Sequence, residues 1–284
     1  MQRHILPSIL LILLLAACGN APDTKAAAPS DADRQIRDLI AALAPAPASV
    51  NSAVQNDWFE RYREVTDRLR VAGPAVGQAA LDKFNESDGE ALMLRRGLLR
   101  VAAYNLPTET APLLEAIFEM YGEDLGLRTA AIEVLTETSP ADAIRLVQPI
   151  MEKRRPGKTY PEAERLVDCY AKAALAVDLG TEAQRVLSTY ASDLFLDQTG
   201  RVMAIKALAD YPGAHTRGTL RTVLVESTGN GYLRRLSAKS LVNLAKVDPE
   251  TDAVLCDILT EIMSKEMDPN FQQTLVNIIE KNCQ

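Results

Sequence analysis

Four cysteines and two histidines are the residues of this chain best suited to covalent or acid–base chemistry. A hydrolytic site needs an imidazole beside a nucleophile. His4 lies in an apolar amino-terminal leader, which leaves His215, in the turn-like stretch PGAHTRG. No Gly-x-Ser-x-Gly or other nucleophile signature accompanies it. Metal ligation needs clustered donors, and the sequence has no paired histidines, HExxH, EF-hand loop or CxxC. Gly229 and Gly231 in STGNGYL lack the strand before and the GK[ST] after that a phosphate cradle requires, so they read as a turn before a helix. The expectation is no catalytic residue, no metal and no cofactor.

Cys18 is marked out by its surroundings. Ile5 to Ala17 is apolar apart from Pro7 and Ser8, Arg3 and His4 precede it, and the chain turns polar after Cys18. This is the layout of a secretory signal, too short to span a membrane as a mature helix. Leu15-Ala16-Ala17-Cys18 resembles the lipobox of bacterial lipoproteins. The resemblance implies a diacylglycerol on the Cys18 thiol, cleavage just before it, and acylation of the new amino terminus. Two or three acyl chains anchor a protein stably. Gly19 stands where that family's inner-membrane retention signal is an aspartate. The implied place is the outer membrane, facing the periplasm, if the cell is Gram-negative. The expected division is 1–17 signal peptide, 18–34 lipidated terminus and disordered tether, and 35–284 folded domain.

Loss of the leader takes the formal net charge from −7 to −8, which argues against nucleic acid and against an electrostatic grip on anionic lipid. The chain is 47% hydrophobic but only 5% aromatic, and its Ala, Leu and Val suit stacked helices. From about Asp31 onward helical patterns alternate with short turns such as AGPAVG, NLPTE, TSPAD, DYPGA and KVDPE.

The helical patterns repeat. The last leucines of LGLRTAAIEVL, TGRVMAIKAL and GYLRRLSAKSL belong to a column Leu69, Ala102, Leu135, Leu175, Leu208, Leu241, Leu275. Its steps are 33, 33, 40, 33, 33 and 34, with the long step at the insertion KRRPGKTYPE. Seven positions earlier stand Arg95, Arg128, Arg201 and Arg234, with Asp168 breaking the series. Asp124, Asp197 and Asn230, four residues before three of these arginines, suit helix N-caps. The arginines are expected to reach those cap oxygens or their counterparts in the next repeat. The pattern resembles the HEAT repeat, including the HEAT-like form of phycobilisome lyases, over about residues 50 to 282. The resemblance implies an all-α, right-handed, HEAT/armadillo-like α-solenoid of about seven stacked helical hairpins. Their second helices would lie near 51–71, 89–105, 124–138, 162–178, 197–210, 230–246 and 268–282 and line the concave side.

The insertion places Lys153, Arg154, Arg155, Lys158 and Tyr160 in one loop of an acidic chain, a candidate dock for an acidic partner. Trp58, Phe59 and Tyr62 would close one end of the stack and Gln272 and Gln273 the other. Cys256 and Cys283 fall on the two helices of the last hairpin, where helix rise puts them roughly 7 Å out of level and axes lie about 8 to 10 Å apart. That geometry predicts free thiols at both, as at Cys169. The expected function is non-enzymatic: an envelope scaffold or adaptor, held by its lipid, that binds an unidentified protein or peptide. The alternative is an accessory subunit of an envelope enzyme, or a HEAT-like lyase-type enzyme.

Overall fold

The computed structural model describes residues 30–43, 52–87, 92–120, 124–152, 163–194, 196 and 198–283. Among the described residues there are fourteen α-helices and no strand. They are α1 (Asp31–Leu43), α2 (Ser52–Leu69), α3 (Pro74–Glu86), α4 (Leu92–Asn105), α5 (Pro107–Glu119), α6 (Leu125–Thr138), α7 (Pro140–Glu152), α8 (Ala163–Ala176), α9 (Gly180–Ser192), α10 (Gln198–Leu208), α11 (Ala214–Glu226), α12 (Gly231–Ala245), α13 (Pro249–Lys265) and α14 (Pro269–Asn282). Proline opens α3, α5, α7, α13 and α14, where a missing N–H removes no helical bond. Asp124, Asn230, Asp248 and Asp268 cap α6, α12, α13 and α14 through their side-chain oxygens. Asp197 lies outside the described residues. α1 begins at Asp31, so the last residues assigned to the tether are helical.

Consecutive helices pair into seven hairpins, and the hairpins stack as an α-solenoid. Neither helix of a hairpin can bury its apolar stripe alone, so stacking makes one continuous core. The second helices, α2 to α14, touch one another in unbroken succession. The first helices are joined closely only from α1 to α3 and from α7 to α13. From α3 to α9 the second helices are the more tightly spaced row, which makes theirs the inner row over that stretch.

Leu69, Ala102, Leu135, Leu208, Leu241 and Leu275 are all buried, as the repeat column requires. Leu175 is not: it is 46% exposed, and Ala174 fills the core position. The insertion therefore shifts the register by one residue. The position seven before Ala174 is Val167, fully buried, and Asp168 belongs to a neighbouring column, where it accepts from Lys172 at 2.7 Å.

The arginine column is a structural clamp, with acceptors different from those expected. Arg128, Arg201 and Arg234 each donate from Nε, at 2.9 Å, to a carbonyl ten residues earlier: Phe118, Ala191 and Leu224. Those carbonyls lie in the last turn or so of the first helix of the same hairpin, where backbone oxygens lack helical partners. Arg201 Nη2 continues to Ser227 Oγ at 3.2 Å, and Arg234 Nη2 to the Glu266 carboxylate. Ser227 and Glu266 are the C-caps of α11 and α13, the first helices of the next hairpins. The polar ladder runs along the ends of the first helices, not along the starts of the second.

Cys256 and Cys283 form a disulfide with Cα atoms 5.7 Å apart, which overturns the expectation of free thiols. Two features close the gap. Glu266 and Asp268 are extended, and a three-residue extended connector reaches on the order of 10 Å. That is enough to start α14 beyond the end of α13 and cancel the axial offset. Each Cα also stands about 2.3 Å off its axis, so facing Cα atoms on packed helices are only roughly 3 to 5 Å apart laterally. Cys169 is free and buried, its thiol pushed up to about 12 by that burial.

Candidate functional site

A charged concavity on the inner row lies across α2, α4, α6 and α8, with a volume of about 860 Å³. Five side chains of α2 at helical spacing (Phe59, Tyr62, Arg63, Thr66 and Asp67) form one wall. Leu92, Met93, Arg96 and Arg100 of α4 and Leu125, Thr129 and Glu133 of α6 form the floor. Arg165 of α8 closes the far side.

The repeat sets this arrangement. Arg63 and Arg96 are 33 residues apart, as are Arg100 and Glu133, so each pair holds equivalent places on neighbouring helices. In the corrected register Asp67, Arg100, Glu133 and Lys172 form one column of alternating charge, two residues before the core marker. Arg100 donates to Glu133 at 2.6 Å, and Arg165 lies 3.7 Å from the same carboxylate. Arg96 donates from Nε to Gly126 O at 2.8 Å. Its guanidinium lies over a glycine, since a Cβ at Gly126 would sit 1.7 Å from Arg96 Nη2. Arg96 and Arg100 are thus held in place before any ligand arrives. Arg63 is exposed on the near wall, and the Arg165 side chain is 61% exposed on the far one.

Of the nearby acids, Asp124 accepts from the Gly126 and Leu127 amides and Glu133 is shared by two arginines. A third acid, Asp67 of α2, is exposed on the near wall, so four arginines face three carboxylates and the groove carries a small positive excess in an acidic protein. Burial pushes the Tyr62 phenol pKa up, with Arg100 and Arg96 opposing that shift and Glu133 adding to it. Deeper along the inner row, Arg70 and Tyr104 both donate to Glu137 at 2.7 Å, and the Arg70 guanidinium sits 3.9 Å from the centre of the Tyr104 ring.

A second groove, of about 990 Å³, lies between α11 and α13. There each cation is already matched: Arg221 and Lys265 to Glu261, and Arg234 to Glu266.

The residues singled out from sequence fall differently. Cys18 and the loop residues Lys153, Arg154, Arg155, Lys158 and Tyr160 lie outside the described residues. Trp58 and Tyr62 are buried and close the end of the stack, their rings stacked 6.0 Å apart. Phe59 departs from that role: it is 48% exposed, on the wall of the groove. Gln272 and Gln273 are exposed on the last helix. His215 is exposed at the start of α11. Among the described residues no cluster of three or more His, Cys, Asp or Glu is arranged to hold a metal ion. No helix among them is long and apolar enough to cross a membrane.

The four groove arginines were missed in the sequence. Only Arg100 belongs to the column two residues before the marker; Arg63 and Arg96 stand six before theirs, and Arg165 nine before Ala174.

No family model matches the chain, and neither any curated protein nor any solved structure matches it. The fold and the groove therefore carry the functional reading by themselves.

Proposed function

We propose that this protein is a lipid-anchored scaffold or adaptor of the cell envelope that works by binding a protein or peptide partner on its helical-repeat surface. The observation that carries the binding part is the groove across α2, α4, α6 and α8, whose cationic groups are held ready by Gly126 and Glu133. The anchor rests on the lipobox-like Leu15-Ala16-Ala17-Cys18, and the outer-membrane assignment on Gly19. The Cys256–Cys283 disulfide supports an oxidising compartment, where such bonds persist. The insertion with Lys153, Arg154, Arg155, Lys158 and Tyr160 remains part of the proposal as a second contact for an acidic partner.

Substitution Cys18→Ser tests the anchor. The variant is expected to leave the membrane fraction or to remain as the longer unprocessed chain. A mature-sized variant that fractionates with membranes as the wild type does would remove the lipoprotein reading.

A further inference from the structure

We infer that the groove across α2, α4, α6 and α8 recognises an extended acidic peptide segment interspersed with apolar residues, an inference that rests on the scaffold reading above. Three observations point to this chemistry. First, four arginines line the groove against three carboxylates, Asp67, Asp124 and Glu133, and Asp124 and Glu133 are already engaged, which leaves a positive excess in a chain whose formal net charge is −7. Second, its most accessible cations, Arg63 and Arg165, stand on opposite walls, while Arg96 and Arg100 are fixed between them. An acidic chain crossing from α2 to α8 meets a guanidinium at each wall and along the floor, and guanidinium groups pair with carboxylates by parallel N–H donation. Third, apolar surface alternates with the charge: Phe59 is 48% exposed and Leu125 45%. A peptide with apolar side chains between its carboxylates covers both.

The reach fits. Four helices spaced about 8 to 10 Å apart span roughly 30 Å, the length of about ten extended residues. The floor arginines lose little freedom on binding, because Gly126 O and Glu133 already orient them. Glu133 sets the selectivity: a carboxylate can displace the 3.7 Å contact with Arg165, while a basic peptide would meet Arg63 and Arg165 as like charges.

The test uses the full mature chain in detergent and two fluorescein-labelled ten-residue probes, one alternating Glu and Leu, the other alternating Gln and Leu. The acidic probe is expected to bind about tenfold or more tightly than its amide twin at low salt, with the difference shrinking as salt rises. The double variant Arg63→Gln/Arg165→Gln should abolish the difference. Arg221→Gln, in the α11–α13 groove, should preserve it. Equal binding of the two probes overturns the inference. So does a preference that survives the double variant, or one that Arg221→Gln also removes, since that marks diffuse attraction. Crosslinks to a cellular partner from Phe59 and Leu125, without any acidic preference, would overturn the peptide class and leave the scaffold reading standing. An acidic preference in a protein that gives no cellular crosslinks would uphold the groove chemistry and count against the scaffold.

Discussion

Replacing Arg234 by methionine is expected to lower the free energy of unfolding by about 3 to 5 kcal/mol, because it leaves the Glu266 carboxylate buried without its counter-charge. Arg234 and Glu266 are only 5% and 8% exposed. From its place on α12 the guanidinium reaches α11 through Leu224 O, α13 through Glu266, and α14 through the Phe271 ring, 3.9 Å away. Urea unfolding followed by far-ultraviolet circular dichroism measures the loss. Glu266→Gln, which keeps an acceptor but removes the charge, should cost less, about 1 to 2 kcal/mol. The pH dependence has a definite sign. Hydrogen bonding from Arg234 holds the Glu266 carboxyl below its usual 4.5. A carboxyl lowered in the folded state contributes its stabilisation above the unfolded value and loses it as pH falls through the folded value. The gap in stability between wild type and Glu266→Gln should therefore be full above about pH 5 and close at lower pH. A loss below about 1 kcal/mol for Arg234→Met would show that the clamp does not hold the last hairpins together.

Leu135→Ala is expected to cost about 2 to 5 kcal/mol, for lost transfer free energy and the cavity left behind. Leu135 is fully buried on α6, between α4 and α8. Leu175→Ala, which looks equivalent in the sequence, should fall within about 0.5 kcal/mol of wild type, because Leu175 is 46% exposed. Equal costs at the two sites would mean that the register shift at the insertion is wrong. Glu133 is unsuited as a surface control, since it pairs with Arg100 and Arg165.

These two variants also mark where the sequence was legible. Helix positions followed from prolines, cap residues and a 33-residue beat, all signals carried within a few residues of the elements they define. The second helices fall within a few residues of their expected places, and six of the seven marker positions are core. The exception, Leu175, follows the insertion, where counting from the previous repeat no longer fixes which face points inward. One residue turns a helix by about 100°, enough to exchange a buried Ala174 for an exposed Leu175. The clamp arginines were visible as a column, but their acceptors were not, because a carbonyl on the facing helix of a hairpin leaves no mark on side-chain pattern. The disulfide is not legible from helix axes alone, because it depends on Cα atoms that stand off those axes and on the extended backbone at Glu266 and Asp268 between the two helices. The groove arginines were hidden for a third reason. Arg63, Arg96, Arg100 and Arg165 look like ordinary solvated charges until four helices are laid side by side.

The central claim, that the inner row of helices carries the partner, is tested most directly by site-specific photocrosslinking in intact cells. A photoreactive residue would replace Phe59 or Leu125 at the groove, and Thr189 or Val225 on the outer row. Phe59, Leu125 and Val225 are each about half exposed and Thr189 is exposed, so the four sites are comparably accessible. The expected result is a discrete crosslinked species from Phe59 and Leu125 that is absent from Thr189 and Val225 and lost in the Arg63→Gln/Arg165→Gln background. Crosslinks confined to Thr189 and Val225, or equal from all four positions, would contradict it.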